Sequence, residues 1–390
     1  MMKSRSSDTF LVKATLLLVS TLTVMAGATI APALPAMRQH FAEVANADYW
    51  VRLILTAPAL FIAIGAPIAG TIIDRFGRKG LLGAAVFLYG LAGSSGFLLN
   101  EIGLMLLGRV LLGLSVAGIM TTATTLIADY YGGAARAQFL GLQAAFMGFG
   151  GVIFLTLGGY LADLNWRLPF LIYLLAWLIL PLILLVLSEP STNSAAQSSE
   201  AVVSESVPWL LLLTTYSIAL VTQIVFYMIP VQIPFYLQQL TNANAAQSGL
   251  AIACATLATS ISALSYQRLK ARFTFLNIYA IAFLLMGLGY LVIGFGRTYE
   301  IVLIGLAIGG LGVGLLMPNM TVCLTSSTPA VLRGRILGGL TTSFFLGQFA
   351  SPFASQPLSQ WVGLSATYGL AGGLMLLLTL IALGVMSRWK

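Results

Sequence analysis

Charge is scarce in this chain, and the places where it gathers are the places where chemistry can happen. Only 8% of the 390 residues are Asp, Glu, Lys or Arg. Yet the stretch Gly70 to Leu82, G-T-I-I-D-R-F-G-R-K-G-L-L, sets Asp74, Arg75, Arg78 and Lys79 within six positions. A carboxylate beside guanidinium groups makes charge-assisted hydrogen bonds, or accepts from the amides that open a neighbouring helix. Further on, Asp129 in A-D-Y-Y-G-G-A-A-R is followed by Arg136. Such groups suit an ionic latch.

Other chemistries find little support. His40 stands alone, with no nearby His or Cys, so no metal site is expected. Cys254 and Cys323 have no metal-ligand spacing, imply no disulfide, and read as small packing residues. No nucleophile–base constellation is visible, so neither an enzyme nor a cofactor is expected.

The elements that position these residues follow from composition. The chain is 59% hydrophobic, with a mean hydropathy of +0.96. Twelve apolar runs lie near 12–35, 49–73, 79–99, 102–126, 138–161, 168–188, 208–230, 246–266, 276–296, 300–323, 337–356 and 366–387. Each has the roughly 20 residues that a helix needs to cross a bilayer. The fold class is therefore an all-α integral membrane protein. Lys3, Arg5 and the small residues near Ala33 to Ala36 imitate a secretory signal, but the apolar run is too long for one. It reads as an uncleaved first helix. The 40 glycines suit helices that pack backbone to backbone in lipid.

Charge sets the orientation. With the N-terminus inside, fourteen Lys and Arg face the cytoplasm and four, Arg38, Arg52, Arg167 and Arg297, face outward. Arg109 falls within the fourth run. This bias satisfies the positive-inside rule with both termini cytoplasmic. The net charge of +8 thus reports topology, and no nucleic-acid partner is expected.

Between the sixth and seventh runs, S-E-P-S-T-N-S-A-A-Q-S-S-E-A-V-V-S-E-S-V-P has three Glu, no Lys or Arg, and no face to bury. It reads as a flexible linker, 189–207, between an N-terminal six-helix bundle, 1–188, and a C-terminal one, 208–390. The halves repeat. A shift of 197 positions carries Gly108, Gly113, Val116, Thr124, Arg136 and Gly141 onto Gly305, Gly310, Val313, Thr321, Arg333 and Gly338. Two repeated six-helix halves are the plan of a transporter that rocks about a midplane site.

With repeat and topology in place, Gly70, Asp74, Arg75, Gly77, Arg78 and Lys79 resemble motif A of the major facilitator superfamily, G-x-L-a-D-r-x-G-r-[KR]. The segment lies in the loop between the second and third helices, where that family places it. Gly70 is expected to let helix 2 approach a neighbour, and Gly77 to permit the turn into helix 3. The resemblance implies that the motif Arg reaches an acid such as Asp129, next to Arg136, and locks the halves in the outward-facing state. The plainer reading is that these charges hold the loop at the interface. The partner loop, Y-Q-R-L-K-A-R-F from Tyr266 to Phe273, has Gln267 and Lys270 where Asp and Gly belong. The gate is therefore expected to be asymmetric, with the eleventh helix meeting Asp74.

Arg109 and Gly113 resemble the family's motif B, R-x-x-x-G. A charge at such depth costs about 2.5–3.5 kcal/mol, which points to function. The competing reading is snorkelling from roughly 12 Å below the outer end, or pure helix packing. In the fifth helix, Phe154 and Leu155 stand where an antiporter's motif C has Gly-Pro, so its kink is expected to be missing. The repeat instead puts Pro352 in the eleventh helix, where a kink is expected.

No Asp or Glu falls within a run away from its ends. A coupling proton would then sit on Asp74, Asp129, Glu43 or Asp48. The substrate cavity is read from mid-run polar and aromatic residues: Gln143 and Phe146, Gln223, Phe226 and Tyr227, Asn319, Gln348, and the cation Arg109. Each amide serves equally as glue between helices or as a ligand contact. Together they describe a largely apolar, neutral cavity with aromatic walls for hydrophobic or weakly polar compounds, which the one cation, Arg109, would bias toward anionic or neutral ones.

The expectation is a monomeric inner-membrane secondary transporter of the drug-efflux type, working by alternating access, with protons as a candidate coupling ion. An uptake permease for a small organic anion or nutrient is the alternative. A non-transporting receptor or scaffold is a further one.

Overall fold

The computed structural model describes residues 9–190, 208–329 and 332–388, with the side chains at positions 28, 74, 76 and 388 outside that description. Most of the linker, 191–207, therefore lies outside the described residues. Those described are helical, with no strand among them, as hydrocarbon demands of a chain that must satisfy its backbone internally.

Among the described residues, eleven helical segments are long and apolar enough to cross a membrane, and the last divides in two to give twelve helices. They are α1 Phe10–His40, α3 Arg78–Phe97 and α6 Leu168–Val186; α2 Ala47–Phe76; α4 Ile102–Tyr130; α5 Gly133–Leu164; α7 Trp209–Thr241; α8 Ala245–Lys270; α9 Phe275–Phe295; and α10 Tyr299–Ser326. The final helical segment, Arg333–Arg388, breaks at Gly363, whose φ of 84° and ψ of 162° are open to glycine and to few other residues. It supplies α11, 333–362, and α12, 364–388. Pro352 lies inside the helical backbone, and the break between the two helices falls eleven residues later.

Local chemistry sets the ends. In α1 the helix Phe10–Ala28 gives way to a tight turn, Ala31–Ala33, before Leu34–His40. Pro32 and Pro35 lack the amides that would carry the helix through. Helix α7 runs eleven residues past Pro230, the end expected from hydropathy, and contains Pro234 as well. Asn244 and Gln247 form a reciprocal capping box at the start of α8.

With an even number of crossings, α1 begins on the face where α12 ends. We call this the terminal face and its opposite the far face. Helices α1–α6 form one bundle and α7–α12 the other. They meet where α5 packs on α8 and where α2 packs on the α11–α12 pair.

The repeat is visible in atomic detail. A Cβ on Gly113 of α4 would sit 2.5 Å from the Pro58 carbonyl of α2, and one on Gly310 of α10 would sit 2.5 Å from the Ala255 carbonyl of α8. These matched glycines thus bring matched helix pairs into backbone contact. Tyrosines repeat too. Tyr89 and Tyr173 donate to the carbonyls of Leu22 and Ala26 in α1, and Tyr290 and Tyr368 to those of Val225 and Met228 in α7.

Candidate functional site

The motif-like loop is built around Gly77, which ends α2 and begins α3 at φ 85°, ψ 170°. That turn points the first amides of α3 at the start of the linker. Glu189 accepts from the Arg78 and Lys79 amides at 2.5 and 2.8 Å, a carboxylate on the positive end of a helix. A Cβ on Gly77 would lie 2.8 Å from Glu189 Oε1, so a glycine is needed there twice over. Tyr130 donates to the Ser188 carbonyl and holds the same segment in place.

Arg78 Nε reaches Asp129 Oδ2 at 3.2 Å, with 15% and 25% of the two side chains exposed. The expected pairing is present, but both partners belong to the first bundle. It ties α3 to α4 and does not itself span the halves. The expected contact between Asp74 and α11 involves a side chain outside the described residues; Asp74 itself lies in the last turn of α2. Arg75 and Arg136 are exposed. Gly70 has nothing within 4 Å of a Cβ built on it, so the close approach expected of it is not made. The partner loop of the second bundle has no carboxylate. Lys270 lies over the Phe275 ring at 4.1 Å.

Of its readings, Arg109 takes helix packing and leaves the other two. It is 1% exposed, so it neither snorkels nor opens onto a cavity. Its Nη2 donates to the Gly93 carbonyl at 3.0 Å, and its guanidinium carbon sits 4.7 Å from the Phe170 ring and 5.2 Å from that of Tyr173. Nε and Nη1 have no hydrogen-bond partner. The charge is held by ring faces of α6 and one carbonyl of α3, inside the first bundle.

The other cavity residues divide. Asn319, fully buried, donates to the Phe275 carbonyl and lies 3.3 Å from the Tyr266 hydroxyl, gluing α8, α9 and α10 together. Phe146 falls on an exposed stripe of α5 with Leu142, Phe149 and Ile153.

Five others lie on helices at the meeting of the bundles, where the amides pair within their own bundle and Tyr227 reaches across to α1. Gln143 donates to Ser20 of α1 at 2.8 Å, and Gln348 of α11 approaches Gln223 of α7 at 3.5 Å. The Tyr227 hydroxyl would be 2.7 Å from a Cβ on Gly27 of α1, and Phe226 packs edge-on against Tyr227. On the facing helices, Gly148 and Gly151 of α5 abut Ser260 and Thr256 of α8. Every polar group in this set is neutral.

Toward the far face the bundles are joined directly. Asp163, near the end of α5, accepts from the Ala245 and Ala246 amides of α8 at 2.7 and 3.1 Å. A Cβ on Gly159 would be 2.7 Å from the Ala245 carbonyl, so this crossing is backbone to backbone. Helix α5 runs to it as one helix, Gly133–Leu164. Arg52 of α2 donates from Nε and Nη2 to Gln232 Oε1 of α7. Asp48 pairs with Arg38 at 2.9 Å and lies 3.5 Å from Arg52. Arg167 caps the Phe97 and Leu99 carbonyls.

Sequence reasoning overlooked Arg52, Gln232, Asp163 and Glu189. The only available signal was that an arginine outside the basic loops must have a local reason to be there. For Glu189, the signal was an acid placed just where the sixth run ends.

Two repeated sets of six helices that meet along neutral polar helices and join at one face have the plan of a membrane transporter. A family model described as Major Facilitator Superfamily matches residues 16–240 and 215–389, and the chain belongs to that superfamily. It is 25% identical over 345 residues to the "Bacillibactin exporter" of Bacillus subtilis (strain 168), covering 82% of this chain and 83% of the exporter. It is 37% identical over 143 residues to "Multidrug resistance protein 1" of the same organism, covering 34% of this chain and 35% of that one. Among solved structures, the inward-open xylose transporter XylE from E. coli superposes with a TM-score of 0.75 at 14% identity, over 95% of each chain. That likeness is one of fold.

Proposed function

We propose that this chain exports small hydrophobic or amphipathic compounds across the bacterial inner membrane by alternating access. The observation that carries the reading is the seam. Gln143 with Ser20 in the first bundle, and Gln223 with Gln348 in the second, offer hydrogen bonds without charge, beside Phe226 and the Tyr227 that touches Gly27 across the seam. Such a surface accepts apolar bodies with a few polar groups and gives no counter-ion to a sugar acid or dicarboxylate. The names of the relatives, an exporter and a multidrug resistance protein, support the same direction.

The terminal face is assigned to the cytoplasm by its excess of Lys and Arg. The working units are 1–188 and 208–390, joined by 189–207, and the active species is a monomer. The loop Gly70–Lys79, with Asp129 and Arg136, gates the cytoplasmic side. Any coupling proton must use an acid at a membrane face, Asp74 and Asp129 foremost, since the seam contains none. The permease reading for anions loses the cation that favoured it, because Arg109 is sealed inside the first bundle.

Expression in an efflux-deficient host tests the direction. Accumulation of lipophilic dyes should fall, and unchanged accumulation across a broad panel would refute export. Transport in proteoliposomes with and without a pH gradient tests coupling, and indifference to the gradient would exclude protons.

A further inference from the structure

Arg52 is the one charged side chain among the described residues that is both fully desolvated and bonded across the two bundles. It is 4% exposed, on α2, and every group that Nε and Nη2 address is on α7. Nε and Nη2 share Gln232 Oε1 at 3.2 and 3.0 Å, while the guanidinium carbon lies 3.9 Å from the Phe235 ring. Gln232 and Phe235 are three residues apart and so share one face of α7. Nη1 stays within α2, on the Asp48 carbonyl at 2.8 Å. The amide of Gln232 continues the chain, donating to Ser355 Oγ at 3.1 Å and Gln356 Oε1 at 3.2 Å in α11. All three partners are at most 4% exposed.

We propose that Arg52 and Gln232 are the far-side gate of the transport cycle, closed here, and that they set the balance between the two faces. The proposal rests on the alternating-access reading and adds to it a pair of residues that controls the alternation. The physical reason is that this contact exists only while the far ends of the bundles touch. When they part, the guanidinium exchanges Gln232 and the Phe235 ring for water, and keeps only its Asp48 contacts. An arginine tolerates that exchange. It is weakly hydrated enough to be buried against a ring, and charged enough to be stable when wet. A neutral acceptor opposite it keeps the closed state escapable, since a carboxylate would bind about twice as strongly.

The backbone beneath the gate is built to move. Pro230 and Pro234 each remove an amide from the helix ladder, so two successive turns of α7 around Gln232 are under-bonded. Asp163 on the α8 amides forms a second point of closure, but it is exposed and its partners are backbone groups. It steadies the joint, whereas Arg52 and Gln232 decide whether it opens.

Distances between spin labels test this without needing a substrate. The background replaces Cys254 and Cys323 by Ser, in nanodiscs. One pair, Asn165→Cys with Arg297→Cys, reports the far face; another, Ala134→Cys with Ala271→Cys, reports the terminal face. All four positions are exposed. Arg52→Met should raise the ratio of far-open to far-closed molecules about tenfold, with the far pair lengthening and the terminal pair shortening. Gln232→Glu, which preserves volume, should lower that ratio about tenfold and slow turnover by a similar factor. Adding Arg52→Met to Gln232→Glu should abolish the lock.

A merely structural Arg52 would lower thermal stability and leave both distance distributions in place. That result, or an unchanged distribution in folded Gln232→Glu, overturns the proposal. If Arg52→Met does not fold, Gln232→Glu decides alone. Distances that respond in a protein that exports nothing would uphold the gate and sink the export reading. Export with unresponsive distances would do the reverse.

Discussion

Tyr89 and Tyr290 hold equivalent places in the two bundles. Each donates from its bundle's third helix to a carbonyl of the first, Leu22 and Val225, at the same 2.7 Å. Each is also fully buried beside a second tyrosine from the sixth helix, at 5.6 and 5.8 Å between rings. These pairs fasten α1 and α7, the helices that line the seam. Replacing either hydroxyl should therefore have matched consequences. Tyr89→Phe and Tyr290→Phe should each lower unfolding stability in detergent by about 1 kcal/mol, and the double variant by their sum. Unequal losses would show that the halves are not anchored alike.

Arg109 gives a prediction of opposite character. Its charge is balanced by rings and one carbonyl, with no carboxylate in contact. Phe170→Ala removes packing and uncovers the charge, so it should cost about 3–5 kcal/mol in thermal or denaturant unfolding. Arg109→Met should cost less, because it also removes two nitrogens whose N–H groups lack partners. The KM for an exported dye should change less than about twofold in Arg109→Met, since the residue does not face the seam. A tenfold change would place Arg109 in the binding site after all.

The loop at Gly77 separates two kinds of contact. Glu189→Ala removes a cap from two amides of α3 and should cost about 1 kcal/mol. Asp129→Asn breaks a partly exposed ion pair and should cost less than about 1 kcal/mol. If gating depends on Asp129, transport will drop far more than stability does. Thermal unfolding and dye export measured on the same preparations give both numbers.

The seam itself is tested by Gln143→Leu and Gln348→Leu. Each removes a neutral hydrogen-bonding group from the proposed binding surface. KM for a polar amphipathic substrate should rise roughly three- to tenfold with kcat little altered, while Asn319→Leu should act on stability instead. Equal effects of all three on KM would argue against the division drawn here.

Membrane character, twelve crossings, the repeat and the family were legible because they depend on composition and spacing. The twelve apolar runs correspond one to one with helices, and most disagreements are of a few residues. Helix α7 is the large exception, because Pro230 ended the run while the structure tolerates both of its prolines. Gly77 was also visible as a turn residue, and the resemblance to motif A implied an arginine on Asp129, a pairing the structure makes with Arg78. The candidate cavity was less legible. Tyr227 meets α1 of the other bundle, and Gln143, Gln223 and Gln348 pair within their own, whereas Asn319 and Arg109 are sealed inside a bundle and Phe146 is exposed. Hydropathy cannot say which side of a uniformly apolar helix is turned inward, for the lipid and the protein interior look alike to it.

The sequence by itself determined what is set within one element or by one short connection. That covers how many helices cross, where they turn, which loops carry the charge, and that one half copies the other. Only the tertiary structure decided what belongs to no single element. It placed Arg109 among rings, brought Glu189 to the first amides of α3, and joined Arg52 to Gln232 across 180 positions of chain. Such contacts depend on helix rotation and crossing, which close glycine packing fixes. No local pattern in the sequence records them.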